Sequence, residues 1–405
     1  MNSFKLPLLL ILSMILLLST ACTKKDNLTG TNWSNVASQT IIDSLAVVSG
    51  FSFPPDTLLT ITGSEEKILV GNWQGARAMS LLRFTGMKKD LSAYEIREAS
   101  LALNLLRRDP ISRDPLQIRL YKVESGWTDK PDTLVLESSF REHFAEYTIP
   151  NTVSLSGDTI HVELTETVIK NWSSTADTLG FNILVEAVNE GFIELRAATS
   201  AAGSRLSYKY KTATETEFAS FSALAVKDTY GFVVPETAVQ PGVFKLSNFS
   251  PTRMFVKIEP DSTKYKDMQG NILSPADLKR VNVNKAELIL SIKADAANLT
   301  NIGSYRVFPY LVKVEPDGAE VVPTTNLEVL KYTYESIARN NDEYIAIDIT
   351  PFIQAYLAGS KENKGIVIRS LNERKDFGEL NFYHFVDLPR DKAPYIRVKY
   401  TPPYL

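Results

Sequence analysis

The chain has one cysteine, Cys22, and three histidines, His143, His161 and His384, in 405 residues. A lone thiol cannot close an intrachain disulfide, so the fold has to be held by core burial, which suffices for domains of ordinary size. Three scattered imidazoles and one cysteine supply none of the familiar zinc spacings, and no His-Glu-x-x-His run occurs. There is no Gly-x-Ser-x-Gly elbow for a hydrolase serine, and no glycine-rich loop follows a strand to cradle a phosphate. The 47 acidic residues supply carboxylates in such number that a glycosidase pair cannot be picked out by position. Charge of one sign is lacking too. With 44 basic residues, a net charge of −3 and a pI near 5.8, the chain has no basic excess of the kind a nucleic-acid binder shows. The longest apolar run, Leu6 to Leu18, is shorter than the ~20 residues of a membrane span. No stretch has the period of a long amphipathic helix.

That run follows Lys5 and ends in Ser19-Thr20-Ala21-Cys22. It has the layout of a secretory signal peptide over residues 1–21. The cysteine after small residues resembles a lipobox, although Ser19 stands where leucine is usual. The resemblance implies cleavage before Cys22 and lipid attachment to it, hence a bacterial envelope protein held at the outer membrane. The plainer alternative is an ordinary signal peptide with an incidental cysteine. Residues 22–45 are polar and without period, as in a flexible tether.

From residue 46 the pattern changes to short strand-like runs between turns. In Leu116-Gln117-Ile118-Arg119-Leu120 every second residue is apolar, and Phe181, Ile183 and Val185 alternate with Asn182 and Leu184. Period two predicts strands with one face buried and one wet. Two short helical turns interrupt the strands. One starts at Thr165 and carries Val168, Ile169 and Trp172. The other has Thr350 as its expected N-cap, Pro351 at its first position, Phe352, Ile353, Tyr356 and Leu357 on its apolar face, and Gly359 at its end.

The order of elements occurs twice. Asn72-Trp73-Gln74-Gly75-Ala76-Arg77 is answered by Asn248-Phe249-Ser250-Pro251-Thr252-Arg253, and Ala99–Leu103 by Ala286–Leu290. Each Thr-led helical turn is followed by a glycine-led strand, Gly180-Phe181-Asn182-Ile183 or Gly365-Ile366-Val367-Ile368. Each copy closes on a similar strand, Leu206–Tyr210 or Ile396–Tyr400. The reading is an all-β protein of two tandem antiparallel jelly-roll-like sandwiches, residues 46–212 and 220–405, with the second opening near Asp228-Thr229-Tyr230. The second copy has an extra segment near 259–283. Within it, Asp267-Met268-Gln269-Gly270-Asn271 reads as a turn, since it lacks the acid count of a calcium loop.

This order resembles the DNRLRE-type domain, or carbohydrate-binding module family 96. The matching features are the run Lys67–Asn72, the two Ala-x-Leu-x-Leu strands, the strand 118–123 followed by Trp127, the segment from Asp348-Ile349-Thr350, and final strands ending in tyrosine. The resemblance implies a secreted or surface sandwich module, of which some bind polysaccharides, acidic ones such as alginate included. Candidate ligand contacts are Trp73, Arg77 and Arg83 in the first copy and Phe249 and Arg253 in the second. An aromatic face suits a sugar ring and a guanidinium fork suits a carboxylate. For the aromatics the alternative is core packing, and for the arginines a structural ion pair. Arg119, Arg196 and Arg369 lie on expected strands. No catalytic residue, metal or cofactor is expected. The leading function is a non-catalytic, lipid-anchored, carbohydrate-binding envelope protein. The alternatives are a structural or adhesive surface lipoprotein with a protein partner, and a polysaccharide hydrolase or lyase.

Overall fold

The computed structural model describes residues 40–56, 65–108, 114–123, 141–150, 158–175, 181–234, 244–294, 304–316, 321–339, 341–385 and 390–403. The leader, Cys22, the tether up to residue 39 and Trp127 lie outside the described residues. In chain order the first half supplies β1 (Thr40–Phe53), β2 (Lys67–Trp73), β3 (Ala76–Phe84), β4 (Glu95–Arg108), β5 (Leu116–Val123), β6 (Arg141–Ile149), β7 (Thr159–Glu163), helix α1 (Glu166–Thr175), β8 (Phe181–Ala187), β9 (Gly191–Arg196) and β10 (Arg205–Lys211). The second half supplies β11 (Ala219–Leu224), β12 (Lys227–Val233), β13 (Phe244–Ser247), β14 (Arg253–Ile258), helix α2 (Pro275–Leu278), β15 (Asn282–Ser291), β16 (Ser304–Val312), β17 (Leu327–Glu328), β18 (Ser336–Arg339), β19 (Tyr344–Asp348), helix α3 (Thr350–Leu357), β20 (Ile366–Ser370), β21 (Glu379–Phe382) and β22 (Tyr395–Thr401).

Two large curled antiparallel sheets make two β-sandwiches, each around its own apolar core. Alternation explains most strands. In β22, Ile396, Val398 and Tyr400 are buried while Arg397 and Lys399 face out. Strand β8 departs from the expected half-wet pattern, since all of Phe181–Ala187 is buried. Leu184 joins Met79, Leu81 and Val123 in a small apolar cluster of its own, and Asn182 accepts from Arg83.

The two copies of the sequence pattern share most of their strand neighbours, although β13 and β21 form a separate two-stranded sheet where β2 and β9 are joined to the large one. Strands β3, β8 and β5 are paired in that order in one sandwich, and β14, β20 and β16 in the other. Strand β4 pairs with β7 and β10, as β15 pairs with β19 and β22. Strand β2 pairs with β9, as β13 pairs with β21. The helical turns differ in detail. Thr165 caps α1 through its hydroxyl, which accepts from Val168 N at 3.3 Å. Thr350, expected as an N-cap, is instead the first residue of α3, and its hydroxyl accepts from Ala286 N at 2.9 Å. The hydroxyl is taken by the neighbouring strand, so that helix has no side-chain cap. Gly359 follows α3 at φ +68, the left-handed position expected of it. The Asp267–Asn271 turn closes on itself, with Asp267 Oδ1 accepting from Gln269 N and Asn271 N.

Strand pairing crosses the expected domain boundaries. Strand β1 lies between β14 and β22 and so completes the second sandwich, although it precedes the first in the chain. The hairpin β11–β12 takes the equivalent place in the first sandwich, with β11 on β10 and β12 on β3. The tether expected to run to residue 45 therefore ends at a strand beginning at Thr40. Asp228-Thr229-Tyr230, expected to open the second copy, sits opposite Leu82-Leu81-Ser80 of the first. Alternation marks a segment as a strand but does not say which of two similar sheets will take it.

Residues of the second half also enter the first core. Phe249 and Phe377 pack with Phe192 and Phe232. A Cβ on Gly71 would fall 2.7 Å from the Phe377 ring, so glycine there permits the approach. Below the rings Asp376 accepts from Asn248 Nδ2 at 2.5 Å and from Gly378 N at 2.8 Å. Burial raises the Asp376 carboxyl above its usual range, and these two donors oppose the rise.

Candidate functional site

The five expected ligand contacts fall into two groups. Trp73 is half-buried against the first core. Arg77 and Arg83 lie on the outward face of β3, where Arg77 donates to Glu186 at 2.6 Å and Arg83 to Asn182 at 2.9 Å. Phe249 is buried in the first core, against Phe377. Arg253 is 1% exposed and makes a two-pronged pair with Glu373, at 2.8 and 3.0 Å. Phe249 thus packs where the second half docks on the first, and Arg253 is held in a buried ion pair within the second half. The matching Asn-x-x-x-x-Arg spacing is also not a positional match. Phe84 faces the first residue of β8 and Val256 the first residue of β20, which puts Arg253 in the place of Leu81, not of Arg77.

A different set of residues does coincide between the copies. Counted from the starts of β8 and β20, Arg119 and Tyr121 of β5 occupy the places of Arg306 and Phe308 of β16. All four lie on the outward sheet face, opposite in parity to the buried Ile118 and Leu120, or Tyr305 and Val307. Tyr310 follows two residues on, with its ring 5.2 Å from that of Phe308.

Each outward face also holds a loosely paired arginine over a tyrosine ring. Arg141 lies 4.7 Å from the centre of Tyr121 and reaches Glu186 only at 3.3 Å, since Arg77 holds that carboxylate more closely. Arg369 lies 5.5 Å from the centre of Tyr310 and reaches Glu373 only at 3.4 Å, since Arg253 holds it. A charge-assisted pair at full strength is nearer 2.7–2.9 Å. The Nε of Arg369 has no hydrogen-bond partner among the described residues. That Nε is buried, but the two side chains remain 26% and 20% exposed, and guanidinium groups beside aromatic rings can meet a carboxylate attached to a ring with an apolar face.

The faces differ at their edges. Strand β6 follows β5 from Leu116 to Val123 with one extra residue, Phe144, whose ring goes inward against Trp172. Beside β16 the chain pairs at Val312 and Leu311 as β17, departs, and returns at Val307 as β18. The seven residues 329–335 therefore stand opposite only Phe308, Pro309 and Tyr310. Glu335 is tied back to Arg306 by two bonds of 2.5 and 3.0 Å.

Sequence reasoning named Arg119 and Arg369 on strands but passed over Arg141, Tyr121, Arg306, Phe308 and Tyr310. The signal was present in β16, where Arg306, Phe308 and Tyr310 share one parity among buried residues of the other. Among the described residues no group of histidine, cysteine and carboxylate side chains is placed to hold a metal. No helix of the described residues is long and apolar enough to cross a membrane. Comparison with family models, with curated proteins and with solved structures gave no match.

Proposed function

We propose that this is a non-catalytic envelope protein, lipid-anchored through Cys22 at the outer membrane, whose sandwiches bind an acidic polysaccharide through their outward arginine-aromatic faces. The reading is in keeping with the resemblance to DNRLRE-type modules. The observation that carries it is Arg369, which is loosely held by Glu373, lies over Tyr310, and shares its sheet face with Phe308 and Arg306. A uronic-acid unit offers a carboxylate for the guanidinium and an apolar ring face for the aromatics. The faces carry arginine and aromatic rings together, which suits a charged sugar better than a neutral one.

The test is titration of the full-length protein with a uronic-acid polymer and with neutral polysaccharides, at low and moderate salt. Saturable binding of the acidic polymer is expected, with Arg369→Ala weakening it about tenfold, the worth of one charge-assisted hydrogen bond. Binding to every polyanion alike, unchanged by Arg369→Ala and removed by moderate salt, would reduce the reading to diffuse electrostatics. No binding to any polysaccharide would refute it and leave the structural or adhesive alternative.

A further inference from the structure

The segment 329–335 is the most exposed apolar feature among the described residues. Tyr332 and Tyr334 are 67% and 62% exposed, and Val329 and Ile337 on either side are exposed as well. Solvated loops normally carry small polar residues, so two open tyrosines separated only by Thr333 are unusual. The backbone holds them out. Thr333 donates from both its N and its hydroxyl to the Leu330 carbonyl, at 3.2 and 2.8 Å, closing a four-residue turn. Tyr332 is the third residue of that turn, at φ +65, a conformation tyrosine rarely adopts and glycine adopts readily. Lys331 lies 4.9 Å from the centre of the Tyr332 ring, so a cation stands beside a tyrosine here as at Arg369 and Tyr310. The Glu335–Arg306 bonds fix the far end of the turn to β16, beside the Phe308–Tyr310 row.

From this placement we infer that the turn 329–335 is a second sugar subsite, with Tyr332 and Tyr334 as stacking platforms and Lys331 as the partner of a second carboxylate. The inference rests on the acidic-polysaccharide reading of the adjoining face and deepens it. A chain lying across Tyr310 and Phe308 continues onto the turn, so the preferred ligand is the interior of a linear uronic-acid polymer and not a single unit or a chain end. The first sandwich has no such turn beside β5, because β6 pairs along the whole strand. The second sandwich therefore holds the longer site.

The experiment compares the full-length protein with its Tyr332→Ala/Tyr334→Ala double variant, titrated with short and long oligo-uronates. In the wild type, affinity is expected to rise with oligomer length and then level off. In the double variant, short oligomers bind as before, long ones bind at least tenfold more weakly, and the rise with length disappears. Both side chains are largely exposed, so unchanged thermal unfolding is expected to accompany that loss. Wild-type binding with an unaltered length dependence in the variant would overturn the subsite while leaving the acidic-glycan reading in place. Failure of the wild type to bind oligo-uronates of any length would overturn both.

Discussion

The two sandwiches share a framework and differ where the framework ends. Their paired strands coincide from β3 and β14 outward to β5 and β16, and the first departure in pairing comes at the next neighbour. In the first copy β6 stays paired along the whole edge and turns its spare residue, Phe144, into the core. In the second, two short strands leave a gap that a tyrosine-bearing turn fills. A duplicated fold can vary its edge strand at little cost, since an interior strand has partners on both sides and an edge strand on one. The same comparison separates two arginines that look alike in sequence. Arg77 is 32% exposed and Arg253 1%, so one can respond to a ligand and the other cannot.

The exchange of first strands is expected to set the two sandwiches furthest apart in stability when one of those strands is removed. Deleting residues 40–53 removes the strand between β14 and β22, and is expected to unfold the second sandwich before the first. Limited proteolysis should then cut within 244–403 while 65–234 persists. Earlier cleavage of the first half would contradict the pairing. Next in size is the arginine contrast. Arg253→Ala leaves Glu373 buried with its principal partner gone and is expected to cost about 3–5 kcal/mol. Arg77→Ala, at a half-open pair, should cost about 1 kcal/mol or less. Denaturant unfolding of both variants checks the order.

A smaller effect concerns the exchanged strand β12. Asp228 is 3% exposed, and its carboxyl is raised by burial to about 6, with the Ala198 N–H opposing the rise. A carboxyl whose folded pKa is raised binds its proton more readily in the folded state. It therefore destabilises the fold above about pH 6, and this penalty fades as the pH falls toward 4. Asp228→Asn keeps an acceptor for Ala198 N without the charge. It is expected to match or exceed the wild type at pH 7, by at most about 3 kcal/mol, with the difference closing toward pH 4. Thermal unfolding across that range checks it, and a gap that widens on acidification would oppose the assignment.

How legible the molecule is in its sequence depends on whether a property is local. Alternation locates β5, β10 and β22, and the second helical turn with Phe352, Ile353, Tyr356 and Leu357 buried is where the apolar spacing puts it. The order of elements reveals the duplication. The reciprocal placement of β1 and β11–β12 is not local, because the two sheets present similar vacancies and nothing in an alternating strand selects between them. The burial of Arg253 was hidden for a related reason. Its partner Glu373 lies 120 positions away, and no spacing rule connects them. Of the candidate contacts, Arg77 and Arg83 are on an outward face, whereas Phe249 serves the junction. The residues on the second face were visible as a parity pattern, Arg306-x-Phe308-x-Tyr310, but outward aromatics are told from inward ones only once the register is known.

Where an acidic polysaccharide touches the protein can be read residue by residue. Hydrogen exchange of the full-length protein, measured with and without saturating uronic-acid polymer, reads that contact along the chain. Slower exchange in 304–310, 329–337 and 366–370, with a smaller change in 117–123, is the predicted result. Protection confined to the first sandwich, or no protection anywhere, would contradict it.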